Sequence, residues 1–178
     1  KKTREHADAC TFFLPPYGQS TGVNYAKRRK SLMEEIISVT ADNLEQCITL
    51  YSRVFNSEPW NENWTHEAAR SRLSDLLHTP KSLIFALFSH QRLVGFIGGN
   101  CKETDKGTTF YLAELCIDNQ AQGNGYGSRL LSHLENELKK QNVQSIYLLT
   151  MDDSQAKAFY NKNSYVINDK RIVMRKHL

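Results

Sequence analysis

The stretch QAQGNGYGSRLL, residues 120–131, sets Gly123, Gly125 and Gly127 at alternate positions between an apolar run and a helix-like one. Glycine at that density weakens regular structure, so bare backbone is wanted here for some purpose. A strand, a glycine-rich turn and a helix N-terminus in succession make an anion site. The first N–H groups of the helix lack intrahelical acceptors, and its dipole favours negative charge. Phosphate is the natural guest. A second reactive candidate, Glu114, lies just upstream in TTFYLAELCI. Strand alternation places Phe110, Leu112, Glu114 and Cys116 on one face. A carboxylate on an otherwise apolar face has its pKa raised and becomes a better base. A structural ion pair, or a ligand for a cationic acceptor, accounts for the same residue.

Two phosphate motifs fail. A P-loop ends in Gly-Lys-Ser/Thr, but Ser128-Arg129 follows Gly127. A dinucleotide fingerprint needs GxGxxG, and counting from Gly123 the last position is Ser128. Asp152 and Asp153, beyond the next strand, stand roughly where a ribose-binding acid belongs. Against that, Asp118 to Gln122 intervene between strand and first glycine, and the preceding strands read as a meander rather than βαβ units. What remains is Gln-x-x-Gly-x-Gly over Gln120 to Gly125. It resembles the pyrophosphate signature of the GNAT superfamily of N-acetyltransferases, which use acetyl-coenzyme A. AKAFYNKNSY, residues 156–165, looks like that family's A-x-x-F-Y-x-K-x-G-F segment, with Ser164 where the family has glycine. Asn163 is the expected left-handed residue at that helix end.

The resemblance, over roughly residues 34–178 by order of elements, implies a role for each candidate. Leu115, Cys116 and Ile117 would hold the pantetheine arm through backbone, with the N–H of Cys116 or Ile117 facing the thioester oxygen. Gln122, Gly123, Asn124, Gly125, Tyr126, Gly127 and Ser128 would hold the pyrophosphate, as the anion argument predicts independently. Ser154, Ala156, Phe159 and Tyr160 would complete the cofactor site from the following helix. Acetyl transfer needs a deprotonated amine, a stabilised thioester oxygen and a protonated or tolerated thiolate. Tyr160 matches the tyrosine of the family's Phe-Tyr pair, often a general acid. A phenol of pKa about 10 can donate, uphill, to a thiolate of about 8.5. Tyr160 also reads as a packed aromatic on an amphipathic helix beside Ala156 and Phe159. PWNENW, residues 59–64, falls where the family shapes its acceptor pocket: Trp60 and Trp64 would wall it and Glu62 would attract a cation. Cys116 as a covalent relay lacks a histidine partner in the sequence.

The elements that must position these residues follow from periodicity. Asp42 and Glu45 form a capping-box pattern, and Leu44, Cys47, Ile48, Tyr51, Val54 and Phe55 repeat at helical spacing. A second helix opens at Thr65, with Leu73, Leu76 and Leu77 facing in. SLIFALF, LVGFIGGNC and TTFYLAELCI form an antiparallel meander through turns at His90-Gln91 and TDKG, with glycines marking a bulge. A helix near 125–140 presents Leu130, Leu131, Leu134 and Leu138. SIYLLTM is a strand, Asp153 caps a helix through Asn161, and YVI and RIVMRK close as strands. The expected fold is α+β, a mixed and mainly antiparallel sheet of about six to seven strands with about four helices.

At 178 residues one domain is expected at 33–178, with residues 1–32 an N-terminal tail and Met33 a candidate native start. The net charge of +4 misleads, because residues 1–32 hold seven Lys/Arg against Glu5 and Asp8. The remainder is nearly neutral, which argues against a nucleic-acid surface. No apolar run approaches a membrane span, and Phe12-Phe13-Leu14 is too short for a secretory signal. Cys10, Cys47, Cys101 and Cys116 show no CxxC spacing and read as reduced thiols of a cytoplasmic protein, with no metal site. The leading function is an acetyl-CoA-dependent N-acetyltransferase acting by direct attack on a small-molecule or peptide amine, as monomer or homodimer. The alternatives are a nucleotide-binding oxidoreductase with a degenerate loop and a non-catalytic CoA-binding regulatory module.

Overall fold

The computed structural model describes residues 34–152 and 154–178. The tail at 1–32, the candidate start at Met33 and the cap at Asp153 lie outside them. The described elements run in this order: β1 (Glu34–Ser38), α1 (Leu44–Phe55), α2 (His66–His78), β2 (Ser82–Ser89), β3 (Arg92–Thr104), β4 (Gly107–Ile117), α3 (Tyr126–Lys140), β5 (Ser145–Tyr147) and α4 (Gln155–Lys162). One sheet of order β1-β2-β3-β4-β5 results. It is antiparallel except for β4 and β5, which are parallel. A parallel neighbour needs a crossover, and α3 supplies it.

Both sheet faces are covered. On one, α1 and α2 lay Cys47, Ile48, Tyr51, Val54, Ala69 and Leu73 over Ile84, Ala86, Phe96 and Cys116. On the other, α3 lays Leu130, Leu131, Leu134 and Leu138 over Leu87, Ile97, Phe110 and Leu112. Each buried leucine contributes about 1.5–3 kcal/mol. Thr65 caps α2 by accepting from Ala68 N–H at 3.1 Å. At α1 the N-cap is Asn43 rather than Asp42, and its Oδ1 accepts from Thr40 N–H at 2.8 Å.

Three further expectations change. Strict alternation fails in β4, because Gly98 pairs with Glu114 while Gly99 pairs with Leu112. Ala113 is the extra residue of a bulge. Phe110 and Leu112 therefore face α3, whereas Cys116 packs beneath α1 and α2, and Glu114 bonds to Arg72 of α2. Gly99 is required there: a Cβ would lie 1.9 Å from the Tyr111 carbonyl oxygen. Second, five strands form among the described residues rather than six to seven. β5 keeps three residues, and residues 165–167 and 171–176 form no strand. Val166, Ile172 and Met174 are exposed; β-propensity alone does not make a strand without an edge in register to pair with. Third, the left-handed residue ending α4 is Ser164 at φ 67°, not Asn163. Tyr165 N–H then closes onto the Tyr160 carbonyl at 3.0 Å.

Candidate functional site

β4 and β5 pair only over Thr109–Tyr111 and Ser145–Tyr147. Past Tyr111 the outer edge of β4 has no strand beside it among the described residues. Asp118 N–H donates across to the Val94 carbonyl at 2.9 Å. Successive peptide groups along a strand point to alternate sides. The N–H of Cys116 thus turns toward β3, while those of Leu115 and Ile117 turn outward. The Ile117 carbonyl faces the same open side, accepting from Gln122 Nε2 at 3.3 Å. Of the two backbone donors named for the thioester oxygen, the ladder leaves Ile117 free and commits Cys116.

The loop after β4 is anchored by Asp118, which sequence reasoning missed. Its side chain is 3% exposed, and Oδ2 accepts from Arg53 Nη2 at 2.8 Å and Arg92 Nη2 at 2.6 Å. Oδ1 accepts from Gln120 N–H at 3.1 Å, and the carbonyl from Ala121 N–H at 2.7 Å. One buried carboxylate thereby ties the loop to the end of α1 and the start of β3. Gly123 and Gly125 follow at φ 78° and 81°, a backbone that side-chain-bearing residues resist. A Cβ at either would meet nothing within 4 Å, so the loop top is open. Among the described residues, the N–H groups of Gly123 through Ser128 donate to no protein acceptor. Gly127 serves packing instead. A Cβ there would sit 3.1 Å from the Phe159 ring, so its absence lets α4 close against the start of α3.

A cleft of about 610 Å³ opens over this loop, within the range of about 300–1,000 Å³ typical of small-molecule sites. Leu115, Ile117, Gln122, Gly123, Gly125, Tyr126, Gly127 and Ser128 line it, with Ser154, Ala156 and Phe159 from α4 and the turn before it. Trp60 is on its wall, tilted against Phe55 at 5.5 Å and joined by Pro59 of the same PWNENW stretch, and by Val54, Met151 and Lys162, which carried no site signal in the sequence. The Cys116 thiol is on the opposite face, where burial pushes its pKa far above the usual range and leaves it inert. The Asn124 side chain turns back, donating to the Ala121 carbonyl at 3.1 Å.

Tyr160 sits beside the cleft, its ring 5.2 Å from Phe159 and 5.6 Å from Tyr165. Burial, then the charge of Glu114, pushes its phenol up to about 12. The hydroxyl stays protonated at neutral pH and forms no hydrogen bond among the described residues. Glu114, Glu62 and Trp64 form a separate cluster that does not line the cleft. Glu114 is buried and accepts from Arg72 Nε at 2.6 Å. Burial raises the Glu114 pKa, and Arg72 pulls it part of the way back. Arg72 lies 5.8 Å above the Trp64 ring, whose indole N–H donates to Glu62. Trp64 also packs edge-on to Tyr51 at 5.1 Å. Trp64 is therefore partly buried against the core, and Glu114 is the buried half of an ion pair whose arginine is about half-exposed. Among the described residues no group of three or more His, Cys, Asp or Glu is placed to hold a metal, and no helix is long and apolar enough to cross a membrane.

A mixed sheet left open beside β4, with unsatisfied amides at the head of its crossover helix, defines an α+β domain with an anion-type loop at a strand edge. The chain belongs to the acetyltransferase (GNAT) family, whose model matches residues 26–165. A possible acetyltransferase from Clostridium difficile 630 superposes with a TM-score of 0.71 at 16% identity, covering 82% of this chain and 99% of its own. An integron cassette protein from the mobile metagenome of V. cholerae gives 0.70 at 17%, covering 82% and 93%. An aminoglycoside acetyltransferase from an uncultured soil metagenomic sample, solved with trehalose, gives 0.64 at 16%, covering 83% and 97%. At such identities these likenesses establish the fold. No curated protein matches the sequence.

Proposed function

We propose that this protein is an N-acetyltransferase that moves an acetyl group from acetyl-coenzyme A to a primary amine by direct attack within a ternary complex. The observation that carries this reading is the row of free amides from Gly123 to Ser128, opening onto the unpaired edge of β4. Bound there, acetyl-coenzyme A would supply an activated acetyl thioester. The amides and the positive end of α3 would hold its diphosphate. Leu115 and Ile117 would guide the arm with outward peptide groups, and the Ile117 N–H would face the carbonyl oxygen as it gains charge. Trp60 and Phe159, both lining the cleft, would exclude water from it. Tyr160, kept protonated by burial, would hand its proton to the departing sulfur. Glu114, committed to Arg72, would act on the acceptor through water and by its field. The acceptor is a small-molecule or peptide amine; one structural neighbour is named for aminoglycosides, polycations for which Glu62 offers an exposed carboxylate beside the tryptophan wall.

Melting curves with acetyl-coenzyme A and with NAD test the cofactor. A ligand at 100 times its Kd adds about 2.7 kcal/mol, so acetyl-coenzyme A should raise Tm and NAD should not. The reverse result overturns the assignment in favour of an oxidoreductase. Thiol release against a panel of amines tests turnover. Binding with only background release across that panel would leave a coenzyme A-binding module instead.

A further inference from the structure

Asn124-Gly125 is the only Asn-Gly pair in the chain, and it sits at the open top of the loop. We propose that Asn124 is a self-modification site: the loop deamidates when empty, and the product switches off cofactor binding. The second half rests on the reading above; the first does not. In the step, the Gly125 backbone nitrogen attacks Asn124 Cγ and loses its proton. A five-membered succinimide forms and the side-chain amide leaves as ammonia. Water then opens the ring to aspartate or isoaspartate. The net change is amide plus water to carboxylate plus ammonia, with no redox partner.

Four features of the structure favour it. Both residues are exposed. Gly125 has no side chain to screen its nitrogen, and a Cβ built there meets nothing within 4 Å. The Gly125 N–H donates to no described acceptor, so the attacking nitrogen is not held. The Asn124 amide is retained only by Nδ2 contacts to the carbonyls of Ala121 at 3.1 Å and Gln122 at 3.4 Å, both on an exposed loop. A diphosphate on these amides would occupy the Gly125 N–H and hold the loop, so bound coenzyme A should protect Asn124. The carboxylate product puts a negative charge in an anion cradle, and isoaspartate also inserts a backbone atom between the two glycine turns.

The test is to age the purified chain at physiological temperature with and without saturating coenzyme A, and to quantify aspartate and isoaspartate at Asn124 by peptide mass spectrometry. Asn142, exposed but followed by valine, is the internal control. The expected result is conversion at Asn124 at least about tenfold faster than at Asn142, suppressed several-fold by coenzyme A. The Asn124→Asp protein should bind coenzyme A at least about tenfold more weakly than wild type, and Asn124→Gln should not age. Conversion at Asn124 no faster than at Asn142 overturns the proposal while leaving the cofactor reading intact. Unaltered affinity in Asn124→Asp, or ageing that coenzyme A does not slow although it raises Tm, overturns the switch. Failure of coenzyme A to raise Tm at all counts against the cofactor reading and not against the ageing step.

Discussion

Two substitutions at one glycine separate backbone strain from charge. Gly125 has φ 81° and an empty hemisphere where a Cβ would go. Gly125→Ala therefore meets no clash and costs only the left-handed backbone, about 1–2 kcal/mol. The stiffer unfolded chain returns about 0.4–1 kcal/mol of that. For a chain of this size the net loss lowers Tm by about 0–6 °C. Gly125→Asp bears the same strain and adds a carboxylate roughly 5 Å from a doubly charged diphosphate. At effective dielectric constants of about 20–80 that repulsion is roughly 2–6 kcal/mol, or about twentyfold in affinity at its weakest. Titration calorimetry with coenzyme A at low and high salt reads the difference. Gly125→Ala should bind within a few-fold of wild type. Gly125→Asp should lose at least about twentyfold, with partial recovery in salt because screening weakens exposed charges. Equal affinities for the two variants would refute the placement of the diphosphate. A Gly125→Ala protein as crippled as Gly125→Asp would refute the open loop top.

Other consequences follow from the same geometry. Asp118→Asn keeps the shape but removes the charge that Arg53 and Arg92 share; the arginines are half-exposed and regain water, so the loss should be about 2–3 kcal/mol, seen as a lower Tm and a weaker coenzyme A titration. Wild-type values in both would remove Asp118 from loop positioning. Arg72→Met strands the Glu114 carboxylate; as Arg72 is about half-exposed, the cost is about 2 kcal/mol rather than the full penalty of a buried orphan. Glu114 already has a raised pKa, so the stability it contributes is complete below the ordinary carboxylate range and is lost as pH rises through its folded value. Without Arg72 that value rises further, and the Tm deficit of Arg72→Met should be small in acid and grow toward neutral pH; a deficit independent of pH contradicts this. Tyr160→Phe should lower kcat by about a hundredfold with little change in the KM for acetyl-coenzyme A, and unchanged steady-state turnover would dismiss Tyr160 as the acid.

The features legible in the sequence are those set by local spacing. The leucines of α3 recur at helical period, Thr65 caps its own helix, and three alternating glycines announce bare amides. The glycines of β3 also announced a bulge, but not its register. That register mattered most, since one extra residue at Ala113 sends Glu114 and Cys116 to the face opposite Phe110 and Leu112. The anchors of the site are long-range. Asp118 meets Arg53 across 65 positions and Arg92 across 26, and Arg72 reaches Glu114 across 42. Nothing local distinguishes these arginines from the solvated charges around them. Trp60 and Trp64, four residues apart, had equal claims on the pocket; only packing against Tyr51 turns Trp64 onto the core and leaves Trp60 on the cleft wall. The apolar pattern of RIVMRK records a preference for extended backbone, and a preference does not provide a partner.

The central claim is that the amides from Gly123 to Ser128 grip a diphosphate, and amide NMR reads those atoms directly. On titration with coenzyme A, the backbone N–H resonances of Gly123, Gly125 and Gly127 should move downfield and saturate together, and the same resonances should shift less with a pantetheine that lacks the diphosphate. Saturable binding of coenzyme A that leaves these glycine amides unmoved would contradict the account.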